Sequence, residues 1–144
     1  MILNVARTGE LDVATLYRLL ALRVTVFVVE QACPYAELDG RDLEPGTRHL
    51  WYADESGEPL AYLRLLDEPD GSARVGRVCT AAGARGRGLS AALLSAALDR
   101  TRGRVRVLDA QSHLVGFYAR HGFAPAGERY VEDGIPHIPM RRES

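Results

Sequence analysis

The stretch Val78-Cys79-Thr80-Ala81-Ala82-Gly83-Ala84-Arg85-Gly86-Arg87-Gly88-Leu89-Ser90 decides the fold. Its front end closes residues 73–80 (ARVGRVCT), which read as a strand. Its back end opens residues 89–100 (LSAALLSAALDR), rich in the alanine and leucine that favour helix. Between them, Gly86 and Gly88 let the backbone turn tightly and let a ligand approach the main chain. A helix start presents unpaired N–H groups and the positive end of its dipole, which suits phosphate. Arg85 and Arg87 add positive charge beside those amides. An ordinary strand-to-helix turn with solvated arginines fits the same letters. No Gly-Lys-Ser/Thr follows, so this is not a P-loop, and Gly86-x-Gly88 lacks the third glycine of a dinucleotide-binding fingerprint.

Upstream, residues 48–54 (RHLWYAD) and 59–67 (PLAYLRLLD) read as strands flanking the turn Glu55-Ser56-Gly57-Glu58. A second turn, Glu68-Pro69-Asp70-Gly71, leads into the strand at 73–80. Three strands joined by short turns make an antiparallel meander. Before them, Val13, Leu16, Leu20, Val24 and Phe27 recur at helical steps over residues 12–29, with Asp12 placed as N-cap. From Cys33 to Gly46 the chain is dense in loop formers, and an irregular connection of about 15 residues is expected there. Downstream come a short strand at Val105–Ala110, a helix at Ser112–His121 stopped by Gly122, a turn at Asp133-Gly134 and a last strand at 136–141. The predicted order is helix, loop, three strands, helix, strand, helix, strand, which is mixed α/β.

At 144 residues the chain is one domain, 1–144, long enough to bury a core without disulfide or metal staples. The balance of 18 basic against 19 acidic residues gives a net charge of −1, which argues against nucleic acid as the main partner. All 18 basic residues are arginine, a choice that GC-rich codons explain. Two cysteines make no disulfide framework and four scattered histidines show no zinc spacing, so no metal is expected. No apolar run is long enough to span a bilayer, and the opening MILNVARTGE lacks a signal-peptide layout. The expected location is cytoplasmic, with no membrane partner.

Thr80 through Ser90 resembles motif A of the GNAT N-acetyltransferases, in the form Arg85-x-x-Gly88-x-Ser90, with serine where Gly or Ala is usual. Phe117-Tyr118-Ala119-Arg120-His121-Gly122-Phe123 resembles the same family's Phe-Tyr-x-x-x-Gly-Phe motif, one strand and one helix downstream. Leu22-Arg23 through Phe27, Glu30-Gln31, Cys33-Pro34-Tyr35, Asp39-Gly40-x-Asp42, Ala110-Gln111-Ser112-His113-Leu114 and Glu132 through His137 resemble the family's ElaA branch. The resemblance implies the GNAT acyltransferase fold: α/β of the α+β type, a mixed, mostly antiparallel central sheet flanked by helices. It implies acetyl-CoA as co-substrate and no metal. It assigns the pyrophosphate to Arg85, Gly86, Arg87, Gly88, Leu89 and Ser90, and the pantetheine arm to Val78, Cys79 and Thr80. Gln111 stands where many members have Asn, and either amide can bond the cofactor. Tyr118 takes the role of general acid toward the departing thiolate.

Acetyl transfer from a thioester to an amine needs a held donor, a neutral amine, a stabilised oxyanion and a protonated leaving group. A phenol, with a reference pKa of about 10, is in the donating form at neutral pH. Candidates for the base are Glu30, Asp39, Asp42, His49, His113 and His137; Glu30 and His49 are expected to face the acceptor cleft. Each equally suits a structural hydrogen bond. The acidic loop residues Glu37, Asp39, Asp42 and Glu44 either attract a cationic amine or form a solvated surface. Cys79 raises a covalent acetyl-cysteine as a rival to direct attack in a ternary complex. The expected acceptor is a small-molecule or peptide amine. Alternatives are an acyltransferase like the acyl-homoserine-lactone synthases, which Arg23, Phe27, Glu30, Asp39 and Asp42 faintly resemble, and an acyl-CoA-binding module without turnover. Exposed sheet edges are compatible with a homodimer.

Overall fold

The computed structural model describes residues 1–144. Its elements run β1 (Leu3–Arg7), α1 (Val13–Val24), β2 (Arg48–Ala53), β3 (Pro59–Asp67), β4 (Ala73–Thr80), α2 (Leu89–Asp99), β5 (Arg106–Gln111), α3 (Val115–Ala119), β6 (Ala124–Pro125), β7 (Tyr130–Glu132) and β8 (Ile135–Arg142). One sheet holds all eight strands in the order β1-β2-β3-β4-β5-β8-β6, with β7 paired to β8. Every pairing is antiparallel except β4 with β5. No helix is long and apolar enough to cross a membrane.

The near-continuous apolar run of β3 follows from its place at the middle of the sheet, covered on both faces. Ala61, Leu63 and Leu65 join Leu93, Leu94 and Ala97 of α2 in the larger core cluster. Tyr62, between them in sequence, joins Leu19 and Leu22 of α1 in a smaller cluster on the opposite face. The period-two alternation of a strand therefore sends alternate residues to two helices.

Asp12 caps α1, its side chain accepting from the Thr15 backbone N–H at 2.7 Å. The helical path then widens over Thr25–Glu30 into a π-helical segment. Four of those six residues (Thr25, Val26, Val28, Val29) are β-branched and crowd an α-helical turn. The expected single helix over 12–29 is thus two segments. The expected helix over Ser112–His121 is a 3₁₀ turn, Ser112–Leu114, followed by the short α3, and Gly122 ends it at φ +86°.

Three strands escape the sequence reading: β1, the two-residue β6 and β7. Edge strand β1 has no clear alternation and is nowhere buried; its register against β2 holds it. Strand β7 is three residues long, and the Asp133-Gly134 turn joining it to β8 has positive φ at both positions, as a type I′ hairpin requires.

The 31–47 connection is fastened by ions rather than by apolar packing. Arg23 is fully buried and donates from Nε to Glu37 Oε2 at 2.7 Å. The same guanidinium donates to both oxygens of Asp42, at 2.7 and 3.0 Å. Arg64 of β3 donates to Asp39 at 2.6 Å and to Asp42 at 3.3 Å. For Glu37 and Asp42 the structure overturns both expectations, a lure for a cationic amine and a solvated surface: the two are buried counter-ions.

Candidate active site

Strands β4 and β5 pair only at Ala73 with Arg106 and Arg74 with Val107, and make no further pairs toward their C-terminal ends. The cause lies in β4. Tyr62 pairs with Cys79 but Arg64 pairs with Gly76, so β4 carries one extra residue against β3. Arg77 sits in that bulge at φ +54°, a conformation a side-chain-bearing residue seldom adopts. The bulge resets the alternation: Val75 and Val78 both pack with the α2-side core, and Cys79 packs with the α1-side core. The strands part, and a cleft of about 650 Å³ opens between them, within the size range of small-molecule sites.

Val78, Cys79, Thr80, Arg85, Ser90, Gln111 and Tyr118 line this cleft together. Arg85 and Ser90 bracket Gly86, Arg87, Gly88 and Leu89. Gly86 and Gly88 have φ of +82° and +73°, and a Cβ at either would meet nothing within 4 Å. The turn's backbone is thus bent into a nest open to a ligand, at the N-terminus of the 11-residue helix α2. Thr80 Oγ1 and Ser90 Oγ lie 2.7 Å apart, tying strand end to helix start. Arg85 donates from Nε to the Thr80 carbonyl at 3.2 Å and pairs with Glu30, while Arg87 donates to the Gly83 carbonyl at 3.3 Å. The residues present fit a diphosphate-bearing thioester: open N–H groups at a helix start, with an unpaired strand edge beside them.

Tyr118 is buried at the cleft wall, edge-on to Phe117 and Phe123 at 5.1 and 6.1 Å between ring centroids. Burial pushes its phenol up to about 12. Burial likewise pushes the Cys79 thiol up to about 12, so the sulfur is a thiol, not a thiolate, at neutral pH. Gln111 exchanges amide hydrogen bonds with Gln31, at 3.3 and 3.4 Å, across the end of the cleft.

His49 is corrected by the structure. It is 1% exposed, with Nδ1 2.6 Å from Tyr62 Oη and Nε2 2.7 Å from Thr8 Oγ1, and it does not reach the cleft. Burial, opposed by the Asp42 carboxylate and aided by the charges of Arg23 and Arg64, pulls its pKa down to about 4. On β2 its position alternates with Leu50, so it faces the α1 side and the ion network beneath the loop. Glu30 is corrected too: it does not line the cleft, and its carboxylate pairs with Arg85, which does. Asp42 is sealed in the network. Asp39 lines the cleft, but although burial alone would raise its pKa, Arg64 and Arg77 hold it well below the usual carboxylate range. His113 and His137 both line the cleft. The Nδ1 of His137 lies 2.8 Å from the Ile135 carbonyl, and its ring stacks on Tyr130 at 5.5 Å. That carbonyl accepts only from a protonated Nδ1, which leaves the lone pair on Nε2.

Sequence reasoning missed Arg77 as a shaping residue. The available signal is Gly76 inside a strand pattern, which marks a bulge.

Residues 19–144 match the family model for the acetyltransferase (GNAT) domain. The UPF0039 protein Rv2851c of Mycobacterium tuberculosis is 52% identical over 136 residues, spanning 92% of this chain and 87% of that protein. The protein ElaA of Escherichia coli is 44% identical over 143 residues, spanning 94% and 92%. The crystal structure of an acyl-CoA N-acyltransferase from Pseudomonas aeruginosa superposes with a TM-score of 0.93 at 44% identity, covering 98% of both chains. The matched family, the parted strands and the glycine turn agree, and the chain belongs to the GNAT acetyltransferase family, among its ElaA and UPF0039 members.

Proposed function

We propose that this protein moves an acetyl group from acetyl-CoA to the nitrogen of an amine, by direct attack with both substrates bound. The observation that carries the reading is the cleft where β4 leaves β5, lined by Arg85 and Ser90 from the two ends of the open glycine turn. The nest amides and the helix start receive the diphosphate. The unpaired edge at Val78–Thr80 offers main-chain groups to the pantetheine arm, and one of its N–H groups polarises the thioester carbonyl.

The amine nitrogen forms a bond to the carbonyl carbon, the carbon–sulfur bond breaks, and the sulfur leaves with the electron pair. Tyr118 gives that sulfur its proton. Its raised pKa keeps it in the donating form, and a thiolate formed in the same buried wall is more basic than in water for the same reason. The proton lost by the amine goes, directly or through water, to His137, whose Nε2 lone pair is free beside the cleft. Glu30 takes no proton in this reading, because Arg85 holds it. A protonated Cys79 thiol supports direct attack over an acetyl-cysteine.

The test is release of CoA thiol from acetyl-CoA across a panel of amines, polyamines and peptides, with Tyr118→Phe run in parallel. Turnover with at least one acceptor is expected. Tyr118→Phe is expected to lower kcat by about a hundredfold with little change in acetyl-CoA affinity. Binding of acetyl-CoA without turnover on any acceptor favours a module that holds the thioester only, and equal kcat in the two proteins removes Tyr118 from the mechanism.

A further inference from the structure

The conformation that opens the cleft is held from outside β4. Arg77 reaches away from the bulge to Glu37, with Nε donating to Oε2 at 2.8 Å and a terminal nitrogen donating to the Glu37 carbonyl at 3.1 Å. A second carboxylate, Asp39, lies 3.4 Å from the same guanidinium. Tyr35 donates its hydroxyl to Glu37 Oε1, and its ring lies 5.9 Å below the Arg77 guanidinium carbon. Glu37 is itself 3% exposed and anchored to Arg23 in the core. One carboxylate thus joins three parts of the molecule: helix α1, the loop wall bearing Tyr35 and Asp39, and the β4 bulge.

We propose that Arg77 and Glu37 are positioning residues that clamp the β4 bulge open, so that the main chain at Val78–Thr80 stays available to the acyl-pantetheine arm. The inference rests on the reading of the cleft as an acyl-CoA site. An arginine keeps a left-handed backbone only where its surroundings hold it. Past the bulge, β4 and β5 both present main-chain donors and acceptors that want partners. Released from the clamp, the two strands continue their parallel ladder beyond Arg74 and Val107 and take up the groups the pantetheine needs. The diphosphate nest has fastenings outside Val78–Thr80, the Arg85–Glu30 pair and the bond from Arg87 to the Gly83 carbonyl. Loss of the clamp therefore divides the ligand: the pantetheine half suffers and the nucleotide half does not.

Arg77→Asn tests this cleanly. Asparagine tolerates the left-handed conformation but is too short to reach Glu37, which keeps Arg23 as a partner. Calorimetric titrations compare acetyl-CoA with the isolated nucleotide diphosphate half of coenzyme A, on wild type, Arg77→Asn and Arg77→Lys. The expected result for Arg77→Asn is acetyl-CoA binding weakened by about ten- to a hundredfold, with the nucleotide half unchanged. Arg77→Lys, which keeps the charge without the fork, is expected to recover part of the loss and serves alone if the asparagine variant does not fold. Equal losses for the two ligands, or no loss for acetyl-CoA, overturn the clamp while leaving the acyl-CoA reading standing. A wild type that binds neither ligand overturns the reading itself.

Discussion

Replacing Arg23 with methionine keeps most of the buried stem and deletes the guanidinium. Around it, Arg23, Arg64 and Arg77 face Glu37, Asp39 and Asp42, three charges against three. Arg23→Met leaves two against three in a region where Arg23 itself is fully buried. Asp42 Oδ2 loses its partner, and Asp42 Oδ1 retains only the Arg64 contact at 3.3 Å. Glu37 keeps Arg77. Breaking a buried pair by removing one partner costs about 3–5 kcal/mol. For a domain of this size that corresponds to a fall in Tm of roughly 9–15 °C, at about 3 °C per kcal/mol. Urea and thermal unfolding of wild type, Arg23→Met and Arg23→Lys at neutral pH measure the loss, with lysine expected between the other two. Asp42 has a depressed pKa: burial opposes the shift, and Arg23 and Arg64 together outweigh it through hydrogen bonds and charge. The stability this pair supplies is therefore present above the unfolded value near 3.8 and is lost as pH falls below it. The Arg23→Met penalty should shrink in that acid range. A loss under about 1 kcal/mol at neutral pH refutes the view that these ions hold the 31–47 segment in place.

His49 titrates near 4 when folded and near 6.5 when unfolded, so between those values the unfolded chain takes up the proton and the native state does not. Stability is full above pH 6.5 and falls by about 3 kcal/mol on the way to pH 4, a slope that His49→Gln should flatten in urea titrations run between pH 7 and 5. Asp12→Ala removes the cap on α1 and should lower stability by about 1 kcal/mol with acetyl-CoA affinity unchanged. Direct attack predicts no burst of CoA when the protein meets acetyl-CoA without acceptor; a stoichiometric burst that disappears in Cys79→Ala would establish an acetyl-cysteine instead.

The fold was legible wherever pattern and local chemistry agree. Strands β2 and β3 carry apolar runs, turns containing Gly and Asp separate β2, β3 and β4, and α2 is mostly alanine and leucine. Gly86 and Gly88 mark the backbone nest because no other residue turns there so readily. Edge strand β1 was hidden because an edge is stabilised by its ladder to a neighbour, not by its own composition. The π-helical segment was hidden because Thr25–Glu30 keeps an apolar face whichever way it winds. His49 misled because a histidine in a strand looks the same whether it faces a cleft or Tyr62. The ion network was beyond reach for a similar reason: Arg23, Glu37, Asp42 and Arg64 are distant in sequence, and an acidic loop reads as solvated until a buried arginine is found beneath it.

In the proposed function, main-chain N–H groups of residues 85–90 receive the diphosphate of acetyl-CoA. Amide NMR of the uniformly labelled protein, titrated with acetyl-CoA, tests it at the atoms concerned. The largest shifts are expected on Gly86, Gly88, Leu89 and Ser90, saturating together with those of Val78–Thr80. Saturable binding that leaves the 86–90 amides unmoved would contradict it.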